Sequence, residues 1–128
     1  MKQIKLLLVD DEEDFVTALA RRMNIRNYGA DIALDGETAL KMVESEIPDV
    51  VVLDLKMPGI NGIEVLRSIK QHYPEIQVII LTGHGTDKEE KEAKDLGAYA
   101  FLNKPVDIDT LIGKIKEAYN QMDTKTSA

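Results

Sequence analysis

Five side chains stand out because their types, taken together, could move a phosphoryl group. Asp10 and Asp11 directly follow an apolar run at 4–9, and Asp54 follows one at 50–53. Thr82 follows a run at 76–81, and Lys104 lies two residues beyond one at 99–102. Carboxylates packed together repel unless a cation compensates. With oxygen donors only, no thiolate and no histidine pair nearby, that cation would be a hard one, Mg²⁺ above all. Lysine brings a mobile point charge suited to a phosphoryl oxygen, and threonine brings one hydroxyl. An aspartate nucleophile, a metal, a lysine and a hydroxyl make an acceptor site of the aspartyl-phosphate kind.

Such a site requires the five residues to meet. The four apolar runs, with a weaker one at 28–34, are rich in leucine and β-branched residues and read as strands. Between them lie amphipathic stretches. Val16, Leu19, Ala20 and Met23 share one helical face, as do Gly36, Ala39, Leu40 and Val43. Gly62, Val65, Leu66 and Ile69 repeat the spacing, and Ile108, Leu111, Ile112, Ile115, Tyr119 and Met122 extend it over three turns. A helix at 86–96 has only Ala93 and Leu96 as apolar anchors and should be the least firmly packed element. Strands apolar on both faces, alternating with helices, predict a doubly wound parallel (βα)5 sheet. Right-handed crossovers then bring every carboxyl strand end to one edge. With order 2-1-3-4-5, strand order reverses between β1 and β3, where ligands bind in open sheets and where the aspartates converge.

The remaining composition narrows the field. A chain of 128 residues with 44% hydrophobic residues can form one core, expected over 1–122 with a short polar tail at 123–128. Sixteen basic against twenty-three acidic residues, a formal charge of −7, argue against phosphate-neutralising nucleic-acid binding. The absence of cysteine excludes disulfides, thiolate metal sites and cysteine nucleophiles, and fits a cytoplasmic location. The apolar start is too short for a signal peptide, and no stretch approaches the ~18 apolar residues of a membrane span.

Four segments in order now carry a specific resemblance. Leu8-Val9-Asp10-Asp11-Glu12, Asp54-Leu55-Lys56-Met57-Pro58-Gly59 with Gly62, Leu81-Thr82-Gly83, and Phe101-Leu102-Asn103-Lys104-Pro105 resemble the receiver domain of two-component response regulators, of the CheY-like kind, over about residues 4 to 122. The resemblance implies that Asp54 accepts a phosphoryl group from a phosphohistidine of a sensor histidine kinase. It implies that Asp10, Asp11, Asp54 and the Lys56 carbonyl hold Mg²⁺, that Lys104 binds the phosphoryl group, and that Thr82 and Phe101 are switch residues. The flanking positions, Lys56 and His84, would govern phosphoryl lifetime. A cis Lys104–Pro105 bond is expected too.

Each residue also has a plainer use. Asp10-Asp11-Glu12 could cap the first helix, Asp54 could sit in a solvated turn, Thr82 could cap the fourth helix, and His72 and His84 read as surface histidines. Phe101 could be an ordinary half-buried strand aromatic. A phosphatase of the haloacid-dehalogenase kind also forms an aspartyl phosphate, but it needs a second aspartate where Lys56 stands. A flavodoxin-like carrier needs a hydroxyl-rich loop where this chain has Asp10 to Asp14. The expectation is therefore a signalling switch and not an enzyme. Its output would run through the α4–β5–α5 face, which carries Lys88, Lys91, Lys94, Tyr99 and Lys114. With nothing of domain size after the fifth helix, the expected forms are a stand-alone receiver or phosphorelay intermediate, a monomer or weak phosphorylation-dependent dimer. The stretch Leu81-Thr82-Gly83-His84-Gly85 also resembles NtrC-type regulators and hybrid kinases, which leaves a receiver fragment as the alternative.

Overall fold

A computed structural model describes residues 3–127, with side chains through residue 122. Five strands and five helices alternate along it. They are β1 (Leu6–Val9), α1 (Glu13–Ile25), β2 (Ala30–Ala33), α2 (Gly36–Ser45), β3 (Val50–Leu53), α3 (Gly62–His72), β4 (Gln77–Thr82), α4 (Asp87–Asp95), β5 (Ala100–Asn103) and α5 (Ile108–Ser127). The sheet is wholly parallel in the expected order β2-β1-β3-β4-β5. Helix α5 carries its backbone on to Ser127; the expected polar tail at 123–128 involves side chains outside the described residues.

Strand alternation sorts the core into two layers. Leu7, Val9, Val51, Leu53, Val78 and Ile80 face α2 and α3, meeting Ala39, Val43, Val65, Leu66 and Ile69. Leu6, Leu8, Val50, Val52, Ile79 and Leu81 face α1 and α5, meeting Val16, Leu19, Met23, Leu111, Ile112 and Ile115. The central strands β1, β3 and β4 are buried throughout, which is why they read as unbroken apolar runs. The outer strands β2 and β5 are only partly covered. Helix α4 buries Ala93 alone, as its charge run predicted. Among the described residues no helix is long and apolar enough to cross a membrane.

Candidate functional site

The sheet ladder continues past the strand ends and fixes the backbone of each candidate. The Asp10 amide donates to the Ala33 carbonyl at 3.1 Å, the Asp54 amide to Val9 at 3.0 Å, and the Lys104 amide to Thr82 at 2.8 Å. Asp54 is thereby set one strand away from Asp10, at the reversal of strand order. Behind it, α3 begins unusually close. A Cβ on Gly62 would run into the Asp54 carbonyl and the Leu55 backbone, so glycine alone lets this helix start beneath the Asp54 loop. Asn61 caps the same helix, its side chain accepting from the Glu64 amide at 3.1 Å.

At this edge Lys104 is the hub. Its Nζ lies 2.7 Å from Asp10 Oδ2, 2.7 Å from Glu12 Oε1 and 3.5 Å from Asp54 Oδ2, and 4.3 Å from the centre of the Phe15 ring. Burial alone would lower its pKa; the hydrogen bonds it donates to Asp10 and Glu12 outweigh this and hold the ammonium above the ordinary lysine value. The effects on its partners diverge. Burial pushes the Asp10 carboxyl up despite the lysine, whereas the Lys104 hydrogen bond holds exposed Glu12 below the ordinary glutamate value.

Asp10, Glu12 and Asp54 each offer an oxygen, all within 4.8 Å of one another. Three carboxylates against one ammonium leave two negative charges, and the donors are all oxygen, so the group fits a hard divalent cation. The membership differs in one residue from the pair Asp10 and Asp11. Asp11 is exposed and outside this group, and Glu12 takes its place. The chain turns directly after β1, where the Glu12 amide donates to Asp10 Oδ1 at 2.9 Å, and Glu12 opens α1 as its N-cap residue.

The plainer uses fit His72, His84 and Phe101 but not Asp54 or Thr82. Glu12 occupies the N-cap position of α1 yet its side chain makes no cap hydrogen bond, since it is engaged by Lys104. Asp54 is 4% exposed, far from a solvated turn. Thr82 does not cap α4, because Thr86 does so through a capping box with Glu89. Instead Thr82 is fully buried, and its Oγ1 has no hydrogen-bond partner. A buried hydroxyl left without a partner costs roughly 1–3 kcal/mol. Phe101 is half-buried and packs on the α3-side core. His72 and His84 are both exposed, and His72 Nδ1 lies 2.9 Å from the Ser68 carbonyl on its own helix. Lys56 reaches away from the cluster, with Nζ 2.7 Å from Glu89 Oε2 at the start of α4. The Lys104–Pro105 bond is cis.

Neither Phe15 nor Glu89 was marked by motif or periodicity. Phe15 sits beside the buried stripe of α1, and Glu89 lay hidden in a charge run. Among the described residues two hollows, about 480 Å³ beside Lys5, Met42 and Pro48 and about 530 Å³ beside Arg26, Tyr28 and Tyr119, lie at the opposite, amino end of the strands. The candidate residues lie at the other end, where Asp10 and Asp54 border a hollow of only about 10 Å³.

Known proteins resemble this chain in sequence and in fold. The sporulation initiation phosphotransferase F of Bacillus subtilis is 38% identical over 117 residues, covering 91% of this chain and 94% of its own length. A putative NtrX-like response regulator of Rickettsia typhi is 36% identical over 120 residues, but the chain spans only 25% of that protein. Among solved structures, a CheY-like response regulator receiver domain protein of Methanospirillum hungatei superposes with a TM-score of 0.92 at 25% identity, covering 97% of this chain and 99% of that one. NtrX of Brucella abortus superposes with a TM-score of 0.90 at 30% identity, covering 98% of this chain and 29% of that one. The family model described as "Response regulator receiver domain" matches residues 6–116, nearly the whole of the sheet and its helices, so the chain belongs to the response regulator receiver family.

Proposed function

We propose that this receiver takes a phosphoryl group onto Asp54 from a phosphohistidine of a sensor histidine kinase and uses it to control a downstream partner. The observation that carries the reading is the buried, unpartnered Thr82 hydroxyl on the strand next to Asp54, at the edge where Lys104 sits 3.5 Å from the acceptor carboxylate. In the transfer an Asp54 oxygen attacks phosphorus, the phosphorus–nitrogen bond breaks, and the imidazole leaves with the electron pair. Lys104 follows the charge onto the phosphoryl oxygens, and Thr82 supplies a hydrogen bond to one of them. Asp10, Glu12 and Asp54 would hold Mg²⁺, with Asp11 and the Lys56 carbonyl added by family position. Bound there, the ion would screen the incoming phosphoryl charge from the carboxylates.

The role is that of a switch, whose only chemistry is on itself. Two settings have support. Likeness to the sporulation phosphotransferase supports a phosphorelay intermediate, and likeness to the NtrX-like regulator, of which the chain spans 25%, supports a receiver within a longer regulator. In either setting the output face is α4–β5–α5.

The test is labelling with Mg²⁺ and a small acyl phosphate or phosphoramidate, read by intact mass. One phosphoryl group per chain is expected, with none on Asp54→Asn and none after chelation of Mg²⁺. Retained label on Asp54→Asn at the wild-type level would overturn the assignment.

A further inference from the structure

Lys56 lies two residues beyond Asp54, and both ends of it are tied. Its amide donates to Asp54 Oδ1 at 3.2 Å, and its Nζ donates to Glu89 Oε2 at 2.7 Å. The two oxygens of Glu89 are divided between two tasks. Oε1 accepts from the Thr86 amide at 3.1 Å and from the Thr86 hydroxyl at 3.3 Å, completing the capping box of α4, while Oε2 holds Lys56. A continuous path therefore runs from Asp54 through the Lys56 stem to the first turn of α4. The loop at 83–86 returns from that turn to Thr82, so the ion pair closes a ring around one flank of the acceptor. The Lys56 hydrogen bond is also the main reason the Glu89 carboxyl lies below its ordinary value, which agrees with a formed pair.

We propose that Glu89 is a positioning residue for Lys56. It clasps the Asp54 loop to α4, draws the ammonium away from the acceptor, and lays the lysine stem across the flank from which water would reach phosphorylated Asp54. Hydrolysis requires a water oxygen to attack phosphorus in line while the bond to the Asp54 oxygen breaks and the carboxylate leaves with the electron pair; the water proton passes to solvent. A clasped Lys56 narrows that approach, and a released one opens it. This inference rests on the acceptor reading of Asp54.

Glu89→Gln separates the two tasks, because glutamine still closes a capping box but carries no charge. The phosphorylated wild type and Glu89→Gln are followed by intact mass for loss of label, at low and at high ionic strength, alone and with Lys56→Met. At low salt the Glu89→Gln half-life is expected to shorten about threefold, the factor an exposed ion pair of this kind supports. High salt should bring the wild type to the Glu89→Gln rate, since this pair is open to screening. In the Lys56→Met background Glu89→Gln should change nothing further. A purely structural role for Glu89 would produce neither the salt convergence nor the dependence on Lys56. Equal half-lives at low salt, or an undiminished Glu89→Gln effect with Lys56→Met, would overturn the clasp while leaving Asp54 as acceptor. A wild type that takes no label overturns the acceptor reading, and the clasp with it.

Discussion

The ring of Phe101 lies against Gly85 so closely that a Cβ at residue 85 would stand 2.5 Å from Phe101 Cε1 and 3.0 Å from Thr82 Cγ2. The aromatic, the glycine and the orphan hydroxyl's own side chain thus pack as one unit. The half-buried ring position depends on the missing side chain, so Gly85 fixes where Phe101 rests while Thr82 is unpartnered.

Gly85→Ala must therefore move the ring outward or shift the 83–86 loop. Overpacking of this kind costs typically about 1–3 kcal/mol, expected as a lower urea midpoint. The loss should shrink when Phe101→Ala is combined with it, because removing the ring removes the clash. The same loss in both backgrounds would show that Phe101 is not what the new methyl meets.

Asp10 gives the site an unusual acid response. Its folded carboxyl is pushed above the ordinary value by burial, so its ionised form opposes folding at neutral pH. As pH falls toward and through that raised value the native state takes up the proton first, and stability rises. Glu12 and Glu89 behave oppositely. Their lowered values contribute stability above the ordinary glutamate value, lost as pH falls through their folded values. Lys104, raised, contributes throughout the neutral range and loses that contribution only in strong alkali. Mg²⁺-free Asp10→Asn should therefore melt higher than wild type at pH 7. The mildly acidic rise should vanish in that variant, and added Mg²⁺ should stabilise the wild type but not the variant. A lower melting temperature for Asp10→Asn would mean that the Lys104 pairing outweighs burial.

The fold and the acceptor edge were legible because they rest on strong local signals. Buried strands read as continuous apolar runs; Asp54 follows β3 directly, Thr82 ends β4, and Lys104 follows the partly covered β5. That Glu12 joins Asp10 and Asp54 within 4.8 Å was not legible from motif, since it depends on the Lys104 ammonium that Glu12 and Asp10 share across the sheet edge. Nor was the division of labour in α4, where Glu89 differs from Glu90 and Glu92 only by its place in the capping box. The contact of Lys104 with Phe15 spans most of the chain, and nothing in local spacing announces it.

By the receiver resemblance Lys56 and His84 would flank an acceptor at Asp54, and neither offers a carboxylate or amide that could both accept from and donate to an attacking water. Lys56 is engaged by Glu89, and His84 is exposed. Slow loss of the phosphoryl group is expected. Exchanging both, Lys56→Asn with His84→Glu, should accelerate loss well beyond tenfold, where each decade is only ~1.4 kcal/mol of barrier. An unchanged rate in the double variant, or a wild-type half-life of seconds, would remove these side chains from control of lifetime.

Signal output should run through α4. This helix buries one side chain, Ala93, whereas α3 buries Gly62, Val65, Leu66 and Ile69. Its first turn is held by polar contacts, the Thr86–Glu89 box and the Lys56 pair, which are individually weak and exposed. Strand β5 beside it is only partly covered, and Tyr99, at its start, donates to Glu117 on α5 at 3.3 Å, so movement of α4 has a polar route across the face. Low local stability and proximity to Thr82 and Phe101 make this the segment that opens most readily. Amide hydrogen exchange with and without beryllofluoride and Mg²⁺ should therefore change most across α4, β5 and the start of α5. The amides of α2 and α3, seated on the deeper core layer, should hardly respond. Changes confined to α2 and α3 would place the output on the other side of the sheet and leave α4 a passive surface helix.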